Sequence, residues 1–173
     1  MIILEESEAQ RAWSYIKAAE DLARTKSKCI RSQNGILLVR GGIDVIGRGY
    51  NSPPSEILCT SCLRESFRDR PSTTEPCLAI HAEERAVIDA FQKGNKNLDG
   101  TVMYHARIRS GKLETRNIPS CMQCSKRNEL LGISFVMITR DGIAMYDPEE
   151  FNRLTREYVL SQSGKGKFAA NFK

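Results

Sequence analysis

The sequence predicts an α/β protein, with a three-layer α/β/α fold around a mixed, mainly parallel central sheet of about five strands. The first observation is that helical periodicity alternates with short apolar runs, in the order α, β-hairpin, α, β, α, β, short β, α. The second is the β-α-β-α-β centre, which implies crossover helices packed on parallel strands. The third is size: 173 residues, 40% hydrophobic and 27% charged, suffice to bury a core as one domain.

Each element follows from the spacing of apolar residues and from the turn residues that bound it. Helices are predicted over residues 7–25, 80–92, 122–131 and 148 to about 161. Strands are predicted over residues 35–39, 43–46, 101–105, 133–139 and 143–146. The Gly41-Gly42 turn makes the first two strands a hairpin. Gly132 ends the third helix, and Pro148 suits the first position of the last one.

Two long connections, over residues 51–79 and 106–120, interrupt this pattern. Connections of this length in a compact domain are usually functional or held together by a cross-link. We therefore predict a single domain over residues 1–163, with a cysteine-containing insertion at 51–79. A flexible basic tail is expected over residues 164–173.

Composition excludes several classes of protein. No run approaches the roughly 20 apolar residues of a membrane helix, and the N-terminal residues show no secretory pattern, so we expect a cytosolic protein. In that compartment six cysteines are not expected to form three disulfides. The net charge of +5 mildly favours anionic partners.

Two short motifs carry the chemistry. They are His81-Ala82-Glu83, near the start of the second predicted helix, and Pro119-Ser120-Cys121-Met122-Gln123-Cys124, at the start of the third. Together they nearly match H-x-E followed by P-C-x-x-C, the signature of zinc deaminases. One imidazole nitrogen and two thiolates leave the fourth zinc position for water, which the metal activates. We predict that His81, Cys121 and Cys124 bind a catalytic zinc and that Glu83 shuttles the proton.

The chain resembles the cytidine deaminase superfamily, and within it the deoxycytidylate (dCMP) deaminase branch. Besides the two motifs, the resemblance rests on Ser27-Lys28-Cys29-Ile30-Arg31, on Gly49-Tyr50-Asn51-Ser52-Pro53-Pro54, and on a cysteine-bearing insertion that ends just before His81. It covers roughly residues 10 to 140. It implies a cytidine deaminase-like fold and hydrolysis of dCMP to dUMP and ammonia.

The resemblance also implies that Asn51 contacts the sugar of a bound nucleotide, whereas the alternative for this residue is plain turn chemistry. Glu84 and Arg85 are expected to be ordinary solvent-facing charges. The family usually has proline directly before the first cysteine of C-x-x-C, but here Ser120 intervenes, so the loop approaching the metal must differ. The stretch 104–118 is longer than expected, and its basic residues either meet a phosphate or form a solvated loop.

Cys59-x-x-Cys62 and Cys77 lie together in the long insertion. Three thiols in such a segment suggest a second, structural zinc, and the resembling branch often binds one there. A closed site needs a fourth ligand, for which His105 is our candidate and Cys29 the alternative. The competing interpretation is that these cysteines are reduced and bind no metal.

The sequence therefore predicts a zinc-dependent deaminase that acts on a small-molecule pyrimidine nucleotide, most simply dCMP. The alternatives are another base or nucleoside, a tRNA base, a biosynthetic intermediate, or a zinc module without catalysis. Nucleic acid is not favoured as a partner, because aromatic residues are only 7% of the chain and do not interleave with basic ones near the motifs. A homo-oligomer is expected, since small α/β enzymes with open sites often complete their pockets across subunits.

Overall fold

A computed structural model describes residues 1–54, 59–62, 77–116 and 120–163. The helices are α1 (Glu6–Lys26), α2 (Ala82–Gln92), α3 (Met122–Leu130) and α4 (Pro148–Ser163). The strands are β1 (Ile2–Ile3), β2 (Gln33–Arg40), β3 (Asp44–Tyr50), β4 (Val102–Arg109), β5 (Lys112–Leu113), β6 (Ser134–Thr139) and β7 (Gly142–Tyr146). All four predicted helices and all five predicted strands are present. The tail at 164–173 and most of the insertion lie outside the described residues.

The strands form one sheet in the order β1-β7-β6-β4-β2-β3, with β5 pairing to the end of β4. The mixed α/β fold is thus confirmed, but the expectation of a mainly parallel sheet is wrong. Among the described residues only β4 and β6 pair in parallel, and the other pairs are antiparallel. The reason is that β2, the first strand of the hairpin, lies between β3 and β4. The crossover through α2 therefore joins strands that run in the same direction but are not neighbours.

Helices cover both faces of the sheet, as a three-layer fold requires. On one face α1 packs through small and apolar side chains against β2 and β4; this cluster includes Ala12, Ile16, Ala19, Leu37, Val39 and Tyr104. On the other face α2 packs on β2 and β3, and α4 packs on β6; this cluster includes Ala86, Ala90, Phe151, Ile36, Leu38 and Phe135. Burial of these apolar side chains supplies the driving force for the layered arrangement.

Two glycines let helices approach the sheet at backbone distance. A Cβ atom at Gly49 on β3 would lie 1.9 Å from the carbonyl oxygen of Ala82, in the first turn of α2. A Cβ atom at Gly35 on β2 would lie 1.9 Å from the carbonyl oxygen of Ala19, on the opposite face. The absence of a side chain at Gly49 therefore fixes how closely the start of α2 approaches β3.

The stretch predicted as a long connection from residue 106 is partly regular structure. β4 continues to Arg109, and a turn at Ser110 and Gly111, both with positive φ, leads into β5. The chain then runs between the ends of β4 and β6, because the amide of Glu114 donates to Arg107 and that of Arg116 donates to Ile138. Among the described residues, no helix is long and apolar enough to cross a membrane.

Candidate active site

Three metal-binding side chains meet where α2 and α3 begin. The Nδ1 atom of His81 lies 3.2 Å from the sulfur of Cys121 and 3.4 Å from that of Cys124. The two sulfurs are 3.2 Å apart. The structure therefore brings together the three residues that the sequence predicted as ligands, from positions about forty residues apart in the chain.

The ligands come from two helix N-termini. His81 is the N-cap of α2 and Cys121 the N-cap of α3, while Cys124 lies in the first turn of α3. The Cys124 amide donates to the Cys121 sulfur, and the free N–H groups and dipole of a helix start favour a thiolate. Two elements that begin at one place thus deliver all three donor atoms.

The pKa values of the two thiols are shifted in opposite directions. Hydrogen bonding with the Cys124 sulfur, together with that from His81, lowers the pKa of Cys121 to about 4 despite burial. The pKa of Cys124 is raised by its hydrogen bond with Cys121, by burial and by the nearby charge of Glu83. Two thiolates this close repel each other unless a divalent cation lies between them. One imidazole and two thiolates are a donor set that suits zinc and leaves a fourth position open.

Glu83 lies beside this donor set without belonging to it. It is in the first turn of α2, and it is 9% exposed. Its Oε1 atom accepts a hydrogen bond from the hydroxyl of Ser120, the residue before Cys121. A buried carboxylate next to the metal donors has the position that a proton carrier for an activated water requires.

Arg85 is a residue whose role the sequence did not reveal. Its Nε donates to the carbonyl of Tyr50 and its Nη2 to that of Ser52, each at 3.0 Å, and its guanidinium lies 4.6 Å from the centre of the Tyr50 ring. The Ile80 amide also donates to Ser52. Arg85 therefore binds the connection after β3 to α2, one turn from His81. The expectation of a solvent-facing charge is wrong, because its partners are backbone carbonyls that leave no trace in a sequence.

Glu84 pairs with Arg127 of α3 at 3.2 Å. The two side chains are 39% and 38% exposed, so water screens the pair and its contribution to stability is small. The contact nevertheless joins the two helices that carry the metal donors.

Asn51 is buried, and its side chain is engaged with the protein. Its Oδ1 accepts from the Ser27 hydroxyl and from the Asn34 amide, both at 2.7 Å. Its Nδ2 donates to the carbonyl of Ser32 at 2.8 Å. These bonds hold the connection after α1 against the end of β3 and leave one amide hydrogen for a ligand. Sugar contact by Asn51 stays a prediction.

His105 does not join the cysteines of the insertion. It is buried on β4, where its Nε2 hydrogen-bonds to Oδ1 of Asn34 at 3.1 Å and its ring packs 5.6 Å from that of Phe135. Burial lowers its pKa to about 3; the charges of Arg116 and Arg107 add to this, and Glu83 opposes it. Because an amide oxygen only accepts, the ring is the neutral tautomer protonated at Nε2.

Cys29 lies beside the described cysteines of the insertion. One small cavity is lined by Cys29, Cys59, Cys62 and Cys77, together with Ile30, Ser61 and Leu78. Burial and the charges of the other three thiols raise the pKa of Cys59. His105 therefore lies apart from these thiols, whereas Cys29, which follows the end of α1, lines the same cavity. Cys29 precedes Cys59, the nearest of the other three in the chain, by thirty residues, so only the fold brings these cysteines together.

The basic residues near the site are more buried than a solvated loop would be. Arg107 pairs with Glu114 through Nε at 2.8 Å. Burial lowers the pKa of Arg116; the charge of Arg107 adds to this, and that of Glu83 opposes it. The Arg116 guanidinium thus lies close enough to the Glu83 carboxylate to interact with it electrostatically.

Comparison with known proteins identifies the family of this chain. Residues 9–140 match the family described as the cytidine and deoxycytidylate deaminase zinc-binding region. A deoxycytidylate deaminase of Schizosaccharomyces pombe is 29% identical over 130 residues, which are 72% of this chain and 35% of that protein. One from Saccharomyces cerevisiae is 28% identical over 153 residues, 80% of this chain and 43% of that protein. The chain therefore spans less than half the length of these curated relatives.

The fold has a relative among solved structures. The crystal structure of a cytidine deaminase from Burkholderia pseudomallei superposes with a TM-score of 0.53 at 17% identity, covering 80% of this chain and 94% of that one. At this identity the likeness concerns the fold. The family match extends over most of the chain and includes both motifs, and the donor set formed by His81, Cys121 and Cys124 fits zinc. The chain belongs to the cytidine and deoxycytidylate deaminase zinc-binding family.

Proposed function

We propose that this chain catalyses the hydrolytic deamination of a pyrimidine nucleotide, most simply dCMP, to dUMP and ammonia. The observation that carries the proposal is the buried carboxylate of Glu83 beside the donor set of His81, Cys121 and Cys124. Zinc bound there supplies the Lewis acidity that makes water a nucleophile near neutral pH.

Glu83 has two proton transfers to perform. Water adds to C4 of the pyrimidine, and Glu83 takes a proton from it and delivers that proton to N3. Glu83 then takes the second proton from the hydroxyl group now on C4 and passes it to the exocyclic nitrogen. The bond between C4 and that nitrogen breaks as the C4 carbonyl forms, and the nitrogen departs as ammonia. One carboxylate can serve both transfers because it is held beside the donor set in the first turn of α2.

Positive charge near Glu83 supports an anionic substrate. Arg107 lies on β4 and Arg116 on the segment after β5. Arg116 interacts electrostatically with Glu83, and both guanidinium groups interact with His105. A nucleotide phosphate is the anionic group that guanidinium side chains recognise best. The names of the yeast relatives support dCMP in particular. Another base, a nucleoside, a tRNA base or a biosynthetic intermediate is the alternative substrate.

Release of ammonia from a substrate panel tests the proposal. Zinc-loaded protein is incubated with dCMP, deoxycytidine, cytosine, guanine and AMP, and each rate is compared with that of Glu83→Ala. Ammonia from dCMP, absent without the phosphate and lost in Glu83→Ala, is the expected result. Release from another compound would keep the chemistry and replace the substrate. No release from any compound, with zinc bound, would contradict deamination of these compounds and favour a specialised substrate or a zinc module.

We also propose that Cys29, Cys59, Cys62 and Cys77 bind a second, structural zinc. The support is their common cavity and the unfavourable charge that thiolates there would otherwise carry. Purified protein should then hold two zinc ions per chain by elemental analysis. Cys29→Ser should reduce the content to about one, whereas His105→Gln should leave it at two. A wild-type content of one would refute the second site.

The homo-oligomeric state and the cytosolic location are the remaining parts of this proposal. Sedimentation equilibrium of the zinc-loaded protein measures the first, and a monomer at micromolar concentration would contradict it. Fractionation of the source cells measures the second.

A further inference from the structure

Ser120 makes a contact that the family resemblance does not account for. Its hydroxyl donates to Oε1 of Glu83, so it links the residue before α3 with the first turn of α2. Proline, the residue usual before the first cysteine in the resembling family, has no side-chain donor. The hydroxyl is therefore a feature of this chain, at the one carboxylate to which we assign the proton transfers.

The bond restricts an otherwise adaptable side chain. Glutamate has three rotatable side-chain torsions, and ordering them costs conformational entropy. A hydroxyl that donates to a carboxylate forms a charge-assisted bond, which is stronger than a neutral one. Because Ser120 occupies one carboxylate oxygen, the other is left for the transferred proton.

The place of Ser120 in the chain gives this bond a fixed geometry relative to the metal donors. Ser120 directly precedes Cys121, whose sulfur is 3.2 Å from Nδ1 of His81. Glu83 follows His81 by two residues. The carboxylate is thus fixed at two points. Its own backbone lies in α2, two residues after His81, and its Oε1 is bonded to Ser120, which directly precedes Cys121.

We propose that Ser120 is a positioning residue that holds the carboxylate of Glu83 in the orientation needed for proton transfer. It acts on the turnover step and contributes little to binding of metal or substrate. The role in turnover rests on the proposed function, whereas the bond itself does not.

Steady-state kinetics of zinc-loaded variants test the role in turnover. Ser120→Ala should lower kcat by about tenfold or more, as expected when a catalytic group loses its fixed orientation, with KM and zinc content unchanged. Ser120→Thr keeps the hydroxyl and should restore most of the rate. Ser125→Ala is the matched control, since that buried hydroxyl lies in the first turn of α3 but bonds to Asn152 of α4; its kcat should stay near the wild-type value. A kcat for Ser120→Ala within twofold of wild type would overturn the proposal.

A double-mutant cycle tests the bond without any activity. Urea unfolding is measured for the zinc-loaded wild type, Ser120→Ala, Glu83→Ala and the double variant. Interacting side chains should give a non-additive change of at least about twofold in the unfolding equilibrium constant. Additive effects would overturn the proposal even if the enzyme were active. A non-additive cycle in a protein that deaminates no panel compound would refute the proposed substrates and retain the Ser120–Glu83 bond.

Discussion

Substitution of Gly49 by alanine should displace the catalytic end of α2. The new Cβ atom would lie 1.9 Å from the Ala82 carbonyl oxygen and 2.6 Å from the Ala86 amide nitrogen. Real Cβ atoms essentially never come within 3.0 Å of such atoms, so α2 and β3 must separate by roughly 1 Å. The obstacle is backbone on both sides, and no side-chain rotation relieves it.

Both stability and activity should suffer. Overpacking of this kind costs about 1 to 3 kcal/mol of unfolding free energy. The displaced turn carries Glu83 and adjoins His81, and a misplacement of about 1 Å in a catalytic group can cost on the order of 100-fold in rate. We expect Gly49→Ala to fold with a lower urea midpoint, to bind zinc more weakly and to lose about 100-fold in kcat/KM.

Gly35→Ala is the matched control. Its Cβ atom would meet the Ala19 carbonyl oxygen at the same 1.9 Å, but on α1, across the sheet from the metal donors. It should lose similar stability while it keeps zinc affinity and most of its activity per folded molecule. Urea unfolding, competition for zinc with a chromogenic chelator and ammonia release give the three quantities. Equal losses of activity in the two variants would refute the reasoning that Gly49 sets the position of α2.

Three further predictions concern buried polar groups. Between pH 7 and pH 5 the wild type should lose about 2 kcal/mol more unfolding free energy than His105→Gln, because the buried ring has a pKa of about 3 while the unfolded imidazole, with its ordinary value of 6.5, takes up the proton. The unfolded state binds more protons in this window, so stability falls as pH falls. Urea unfolding at both pH values measures the loss, and an equal loss of unfolding free energy in the two proteins would contradict this. Arg85→Met should lower the unfolding free energy by about 1 to 3 kcal/mol, since it removes the bonds to the Tyr50 and Ser52 carbonyls, whereas Glu84→Gln should cost less than about 1 kcal/mol. Equal losses of thermal stability in the two variants would contradict the role of Arg85 in holding the β3–α2 connection. Asn51→Asp keeps both acceptor bonds but loses the donor to Ser32, and a urea midpoint equal to that of the wild type would show that this donor bond is dispensable.

The elements were predictable because they depend on neighbours in the chain. Helical spacing and the residues Gly132 and Pro148 located α3 and α4 to within about two residues. The metal donors were predictable for the same reason: C-x-x-C and H-x-E are local patterns, and the chemistry of zinc requires their combination. The pairing of strands was not predictable, because the position of β2 between β3 and β4 depends on contacts throughout the sheet.

Contacts between distant segments set the remaining features of the site. Nothing in the sequence distinguishes Cys29 from His105 as the partner of the insertion thiols, since both lie far from Cys59 along the chain. The fold places Cys29 in the cavity lined by Cys59, Cys62 and Cys77, whereas His105 is buried on β4.

The sequence by itself determined the helices, the principal strands and the identity of the residues that meet at the metal site. These depend on local periodicity and on the coordination preference of zinc. Only the tertiary structure decided the strand order, the bracing of the β3–α2 connection by Arg85 and the bond from Ser120 to Glu83. Those features depend on backbone carbonyls and side chains that are brought together by packing. A hydrogen bond between segments nearly forty residues apart cannot be recognised from a local sequence pattern.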